Sequence, residues 1–166
     1  LATGKPISFR TPPIDSNDPR QPSPAIRAKV FPEWFACDAL PGDTPNRRRM
    51  VRLRDLQPPK LLEHSGDDGK KRRASPLRFV CGCEKGHLQD IEWRKVVHAG
   101  RLGEKEGDGR SCRQQMWLED SGTSADPRDT RIVCDCGANL SLEDLFQPGR
   151  LGQCTGERPW IGKVDP

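Results

Sequence analysis

A small, loop-rich α+β fold, with short antiparallel strands and a few short helices, is what this sequence predicts. Three observations point there. Only 33% of the 166 residues are hydrophobic and 31% are charged, and 16 prolines and 16 glycines interrupt the apolar runs. A chain this polar buries less apolar surface than an average domain of its length, so something besides a core must hold it. Seven cysteines are present, an odd number, and two pairs are spaced C-x-C, which suits a metal better than a disulfide framework. The fold is therefore expected to be stabilised by zinc.

The elements follow in order. Residues 1–30 read as an extended proline-rich arm, because TPPIDSNDPRQPSP supports neither helix nor central strand. A subdomain over 31–100 and a cysteine-cluster subdomain over 101–166 are expected after it. In VFPEWFACDALPG, Phe31, Trp34 and Phe35 are the anchors, since aromatic side chains contribute large buried areas. Met50, Val51 and Leu53 predict a short strand, and residues 67–69 a turn. LRFV at 77–80 predicts a buried strand. DIEWRKVVHAG predicts a short helix capped by Asp90, with Trp93 and Val97 one turn apart and Gly100 as its stop. QMWLED and TRIVC are expected to pair as strands. SLEDLF opens on Ser141 as N-cap, with Asp144 as its capping-box partner. Trp160 is the last aromatic anchor.

The chemistry lies in the cysteines. Cys112, Cys134, Cys136 and Cys154, spaced C-x21-C-x-C-x17-C, are the predicted zinc ligands. Zinc takes four soft donors in a tetrahedron, with at least two commonly supplied by one tight turn. Residues 134–137 form that turn, where Gly137 is free to take positive φ and let backbone amides approach the thiolates. Cys81, Cys83 and His87 form a second, weaker group at a strand-to-helix junction, to be completed by Cys37 or His98. The plainer reading is that Cys83 and His87 only pack, with Gly86 allowing a tight turn. A Cys83 nucleophile with a His87 base is a further alternative, but the two are four residues apart and no third orienting group is evident. Neither a phosphate-binding P-loop nor a dinucleotide fingerprint is present, and the chain is expected not to be an enzyme.

The net charge of +4 permits nucleic-acid contact without arguing for it. Two basic runs, Arg47, Arg48 and Arg49, and Lys70, Lys71, Arg72 and Arg73, read either as phosphate contacts or as solvated loops. Trp34, Trp93 and Trp117 read as core rather than as base-stacking platforms. No apolar run approaches the roughly 20 residues needed to cross a bilayer, and LATGKPISFR has no basic start followed by an apolar stretch. A cytoplasmic chain with reduced thiols is expected, a processed chain or a piece of a longer protein.

The ordered words FRTPP, FPEWFAC, LRFVCGCEKGHLQDIEW, IVCDCGANLSLEDLF and CTGERPWIG resemble the DrmB family, the helicase-associated component of the DISARM anti-phage system. The resemblance covers nearly all of residues 8–162. It implies a bacterial defence protein without catalytic activity of its own, working on DNA with a DrmA-like superfamily 2 helicase. The expected function is a non-catalytic zinc-binding module of such a complex. A free-standing zinc-ribbon binder of nucleic acid and a metal- or thiol-dependent hydrolase are the alternatives.

Overall fold

The structure, a computed structural model, describes residues 30–40, 42–44, 46–57, 62–99, 112–120 and 126–160, with the backbone of 163–164. The proline-rich arm falls outside these residues, apart from Val30. Eleven strands are present among the described residues: β1 Trp34–Cys37, β2 Arg47–Arg52, β3 Glu63–Ser65, β4 Lys71–Pro76, β5 Val80–Gly82, β6 Leu88–Asp90, β7 Met116–Glu119, β8 Arg131–Cys134, β9 Asn139–Ser141, β10 Glu157–Arg158 and β11 Lys163–Val164. One α-helix, α1 Trp93–His98, and three short 3-10 turns complete them. The fold is thus α+β and loop-rich, with short strands and few helices. Seven strands make one antiparallel sheet in the order β3-β4-β1-β2-β7-β8-β9, while β5-β6 and β10-β11 are separate hairpins.

The WFAC segment of β1 explains the layout. Successive side chains of a strand point to opposite faces, and all four of these are buried. Trp34 and Ala36 enter the larger core, with Met50, Met116, Leu118, Ile132, Leu140 and the α1 residues Trp93, Val96 and Val97. Phe35 and Cys37 enter a smaller one on the opposite face, with Val51, Leu56 and Ala74. β1 is also an interior strand, between β2 and β4. Burial also pushes the Cys37 thiol up to about 11, and Cys37 joins neither group of metal-ligating side chains among the described residues.

Expected elements meet varied outcomes. β7 and β8 pair as expected, Met116 opposite Cys134 and Leu118 opposite Ile132. Ser141 caps the 3-10 turn Leu142–Phe146 by accepting from the Glu143 amide. Trp93 and Val97 are buried on one side of α1. Asp90 does not cap that helix. It ends β6, and its carboxylate accepts from the Glu33 amide at 2.8 Å, which ties β1's lead-in to the β5-β6 hairpin. Residues 77–79 do not form a strand; Leu77 is buried as connector and the strand begins at Val80. Trp160 is 62% exposed and anchors no core. The sheet runs across the expected division at residue 100, because β2 bonds to β7 with Arg49 opposite Trp117.

The arginine runs build structure. Arg47, Arg48 and Arg49 lie in β2, an interior strand, not in a solvated loop. Arg47 pairs with Glu119 and Asp135, Arg48 with Asp120, and Arg49 with Asp67. Arg72 is the most enclosed, with a side chain only 11% exposed between Asp43 at 2.8 Å and Asp68 at 2.9 Å. Its hydrogen bonds hold both carboxyls below the usual carboxylate range. Depressed folded values mean a stabilising contribution that is complete above the unfolded carboxyl pKa of about 4 and lost as pH falls through the folded values. Thermal melts of the native chain are therefore expected to drop more between pH 6 and pH 3 than those of an Arg72→Met variant. Parallel pH dependence in the two proteins would remove the ion-pair cluster as a source of acid sensitivity.

Candidate metal centres

Two groups of metal-ligating side chains converge among the described residues. The first is His98, Cys112, Cys134 and Cys136, whose donor atoms all lie within 4.8 Å of one another. Its base is the turn between β8 and β9. The Cys134 amide donates to the Ala138 carbonyl at 2.7 Å and the Gly137 amide to the Cys134 carbonyl at 2.8 Å, with Gly137 at φ 91°. That φ is the positive value expected of this glycine. The same turn aims amides at sulfur: Cys136 N–H at Cys134, and Ala138 N–H at Cys136. Asp135, between the two cysteines, is held from outside, where Trp117 Nε1–H donates to its carboxylate at 2.8 Å and Arg47 lies 3.2 Å away.

His98 comes from the end of α1. Its Nδ1 is 2.6 Å from the Arg94 carbonyl, one helical turn back. A carbonyl only accepts, so Nδ1 carries the proton and Nε2 presents its lone pair to the thiols, 3.2 Å from Cys136 Sγ. This is the outer contact by which metal-binding histidines are oriented. Arg94 then reaches across to donate to the Cys112 and Gln114 carbonyls at 2.8 and 2.9 Å, which fixes the segment that delivers Cys112. The Cys112 and Cys134 sulfurs are 3.7 Å apart. A zinc tetrahedron with Zn–S of about 2.3 Å has an S–S edge of about 3.8 Å, so the donor set has the size and the chemistry of such a centre.

Electrostatics differ within the group. Burial pushes the Cys134 thiol up to about 12. Cys136 is also raised by burial, but the Ala138 amide, Cys134 and His98 outweigh this and bring it to about 7. Cys136 is thus the first thiolate available to an arriving cation, and a bound cation would draw the proton off the others.

The second group is Cys83, His87 and Cys154. His87 Nδ1 is 3.4 Å from both sulfurs. Amides of His87 and Lys85 point at Cys83 Sγ and hold that thiol below its ordinary value despite burial. The Cys154 loop is tied down by Gln89, whose Oε1 accepts from the Thr155 amide and hydroxyl at 2.7 and 2.9 Å.

The expected ligand sets are thereby regrouped. Cys112, Cys134 and Cys136 come together as predicted, but Cys154 stands with Cys83 and His87 instead, and His98 takes its place. Cys81 lies beside the second group without entering the tight cluster. Spacing along the chain carried no sign of this exchange. The signal that His98 offered was its position at the end of a predicted helix, one turn after Arg94. Of the expected nucleic-acid residues, Arg47, Arg48, Arg49 and Arg72 are bound in ion pairs, whereas Lys70, Lys71 and Arg73 are exposed, Lys71 with Glu63 at 3.9 Å.

A family model described as "Domain of unknown function (DUF8724)" matches residues 3–166. The chain belongs to this family. This DUF8724 chain is also distantly similar to the "DISARM protein DrmB" of Bacillus paralicheniformis (strain ATCC 9945a / NCIMB 11709 / CD-2), at 25% identity over 141 residues. The match takes in 81% of the chain but only 22% of that relative, so the DUF8724 chain spans under a quarter of the length of the curated protein it matches. No helix among the described residues is long and apolar enough to cross a membrane.

Proposed function

We propose that this chain is a zinc-binding, non-catalytic module of a DrmB-like anti-phage defence protein, and that it serves a DrmA-like superfamily 2 helicase on DNA. The zinc reading rests on one observation above the others: His98, fixed in the Nε2 lone-pair tautomer by the Arg94 carbonyl, faces three cysteine sulfurs, with all four donor atoms within 4.8 Å of one another. Three thiolates and one imidazole leave no open coordination position, which is the mark of a structural and not a catalytic zinc site. The defence reading is supported by the distant similarity to DrmB. Co-purification of the longer protein with its helicase, lost on Cys134→Ser, tests the module's place in such a complex; an undiminished complex would remove it.

DNA contact is assigned to the exposed cations of the second basic run. Arg72 inside that run is committed to Asp43 and Asp68, so Lys70, Lys71 and Arg73 are the residues turned to a phosphate backbone. Counterion release gives a slope of about −0.9 in log affinity against log salt per duplex phosphate contact. A Lys70→Glu, Lys71→Glu double variant is expected to weaken duplex binding by the assembled complex at low salt and to flatten that slope by up to about 1.8. Equal affinity and slope in both proteins would leave these cations as solvated side chains with no part in binding.

A further inference from the structure

The turn at the second cysteine group repeats the build of the first. The Cys83 amide donates to the His87 carbonyl at 3.2 Å and the Gly86 amide to the Cys83 carbonyl at 2.9 Å, with Gly86 at φ 76°. These are the bonds of the Cys134–Ala138 turn, with a glycine at the same position. Each turn also points backbone amides at its leading sulfur, and Gly156 adds an amide 3.4 Å from Cys154 Sγ. Amide donors arranged around sulfur stabilise thiolate rather than thiol.

The donor spacing matches a cation as well. A zinc tetrahedron with bonds of about 2.3 Å to sulfur and 2.0–2.1 Å to nitrogen has an N–S edge of about 3.5 Å. His87 Nδ1 stands 3.4 Å from both Cys83 and Cys154. Three donors leave one corner to fill. The group opens on a cavity of about 240 Å³ that is lined also by Cys81 and Gln89. Gln89 spends its oxygen on Thr155. Cys81 lies in β5, opposite Gln89 in the β5-β6 hairpin, and lines the same cavity as Cys83, His87 and Cys154.

We propose that Cys81, Cys83, His87 and Cys154 form a second zinc centre, separate from the first and of the same three-cysteine, one-histidine type. It staples residues 151–158 to the β5-β6 hairpin. Ligation through Nδ1 puts the ring proton on Nε2, which lies 3.4 Å from Arg158 Nη2. A guanidinium cannot accept it, so Arg158 moves off the ring edge on loading, while its charge stays close to an anionic centre. The inference does not depend on the first centre being loaded, and the experiment reads the two apart.

The purified chain is titrated with zinc and, in parallel, with cobalt(II), followed by thiolate-to-cobalt absorption and elemental analysis. Two equivalents are expected in the native chain. Cys83→Ser with Cys154→Ser is expected to lose one equivalent and expose residues 151–156 to protease, and Cys136→Ser to lose the other while leaving that segment protected. Zinc X-ray absorption on the unaltered chain, which avoids folding defects, is expected to give three sulfurs to one nitrogen averaged over both metals. One equivalent in the native chain, or two in the Cys83/Cys154 variant, overturns the centre. A sulfur average clearly below three overturns Cys81 as a ligand, and a Cys83–Cys154 disulfide in freshly purified, metal-exposed chain overturns the proposal as a whole.

Discussion

Treatment with a strong zinc chelator is expected to unfold α1 and strands β7–β9 together. Every element of that half of the sheet converges on the first centre. His98 ends α1, Cys112 leads into β7, and Cys134 and Cys136 join β8 to β9. The helix has six residues, well under the dozen or so that isolated helices need to be even marginal in water. It therefore persists through the burial of Trp93, Val96 and Val97 against the sheet and through the anchor at its end. Structural zinc in small domains contributes about 10–16 kcal/mol at neutral pH, against total stabilities of about 5–15 kcal/mol for ordinary domains. Near-UV circular dichroism, dominated by the tryptophans, should collapse on chelation and return when zinc is added back. A metal-free chain that melts at the temperature of the zinc-loaded one would refute the structural role.

Replacing Trp93 by alanine is the substitution expected to cost most in the apolar core. The indole is fully buried, meets the Phe79 ring edge-on at 6.4 Å, and begins the helix that ends in His98. Large aromatic-to-alanine changes in cores cost about 3–5 kcal/mol, enough to unfold many domains of this size. Because α1 carries the imidazole, the loss should appear twice, as a lower melting temperature and as weaker cobalt binding at the first centre. Trp93→Phe is the informative companion. Trp93 Nε1 is buried without a hydrogen-bond partner among the described residues, so phenylalanine removes that donor along with part of the ring. It is expected to retain most of the stability and all of the metal binding. If the phenylalanine variant is as damaged as the alanine one, the indole nitrogen has a partner in solution and the packing account is wrong.

Much of the local structure follows from short-range rules that a sequence carries in full. The Ser141 cap and the positive φ of Gly137 depend on residues within a few positions of one another, and QMWLED pairs with TRIVC across only 12 to 18 positions. The Cys134–Cys136 pair marked where soft ligands gather, for the same reason: a tight turn is a local object, and its cysteines arrive together. The apolar positions of the helix were equally plain, since the 3.6-residue period places Trp93 and Val97 on one side whatever lies opposite.

What only the tertiary structure decided was which distant residues meet. The two ligand groups are nested in the chain, with positions 98 to 136 of the first lying inside the interval from 83 to 154 of the second. Spacing alone favours the nearest cysteine for each site and sends Cys154 to the Cys134–Cys136 turn. Sheet order overrules this. α1 packs across β8 and β9 and carries His98 to their turn, while β10 lies against β6 and carries Cys154 to the other hairpin. The arginines behaved likewise. A run of three reads as a loop or a phosphate grip until strand pairing sets β2 between β1 and β7 and supplies Glu119, Asp120, Asp135 and Asp67 from elsewhere. Turns and caps are closed by the local chain, but each ligand set needs at least one distant donor, and the ion pairs of the β2 arginines are closed by partners that the fold brings from 18 to 88 positions away, and no short-range pattern encodes those.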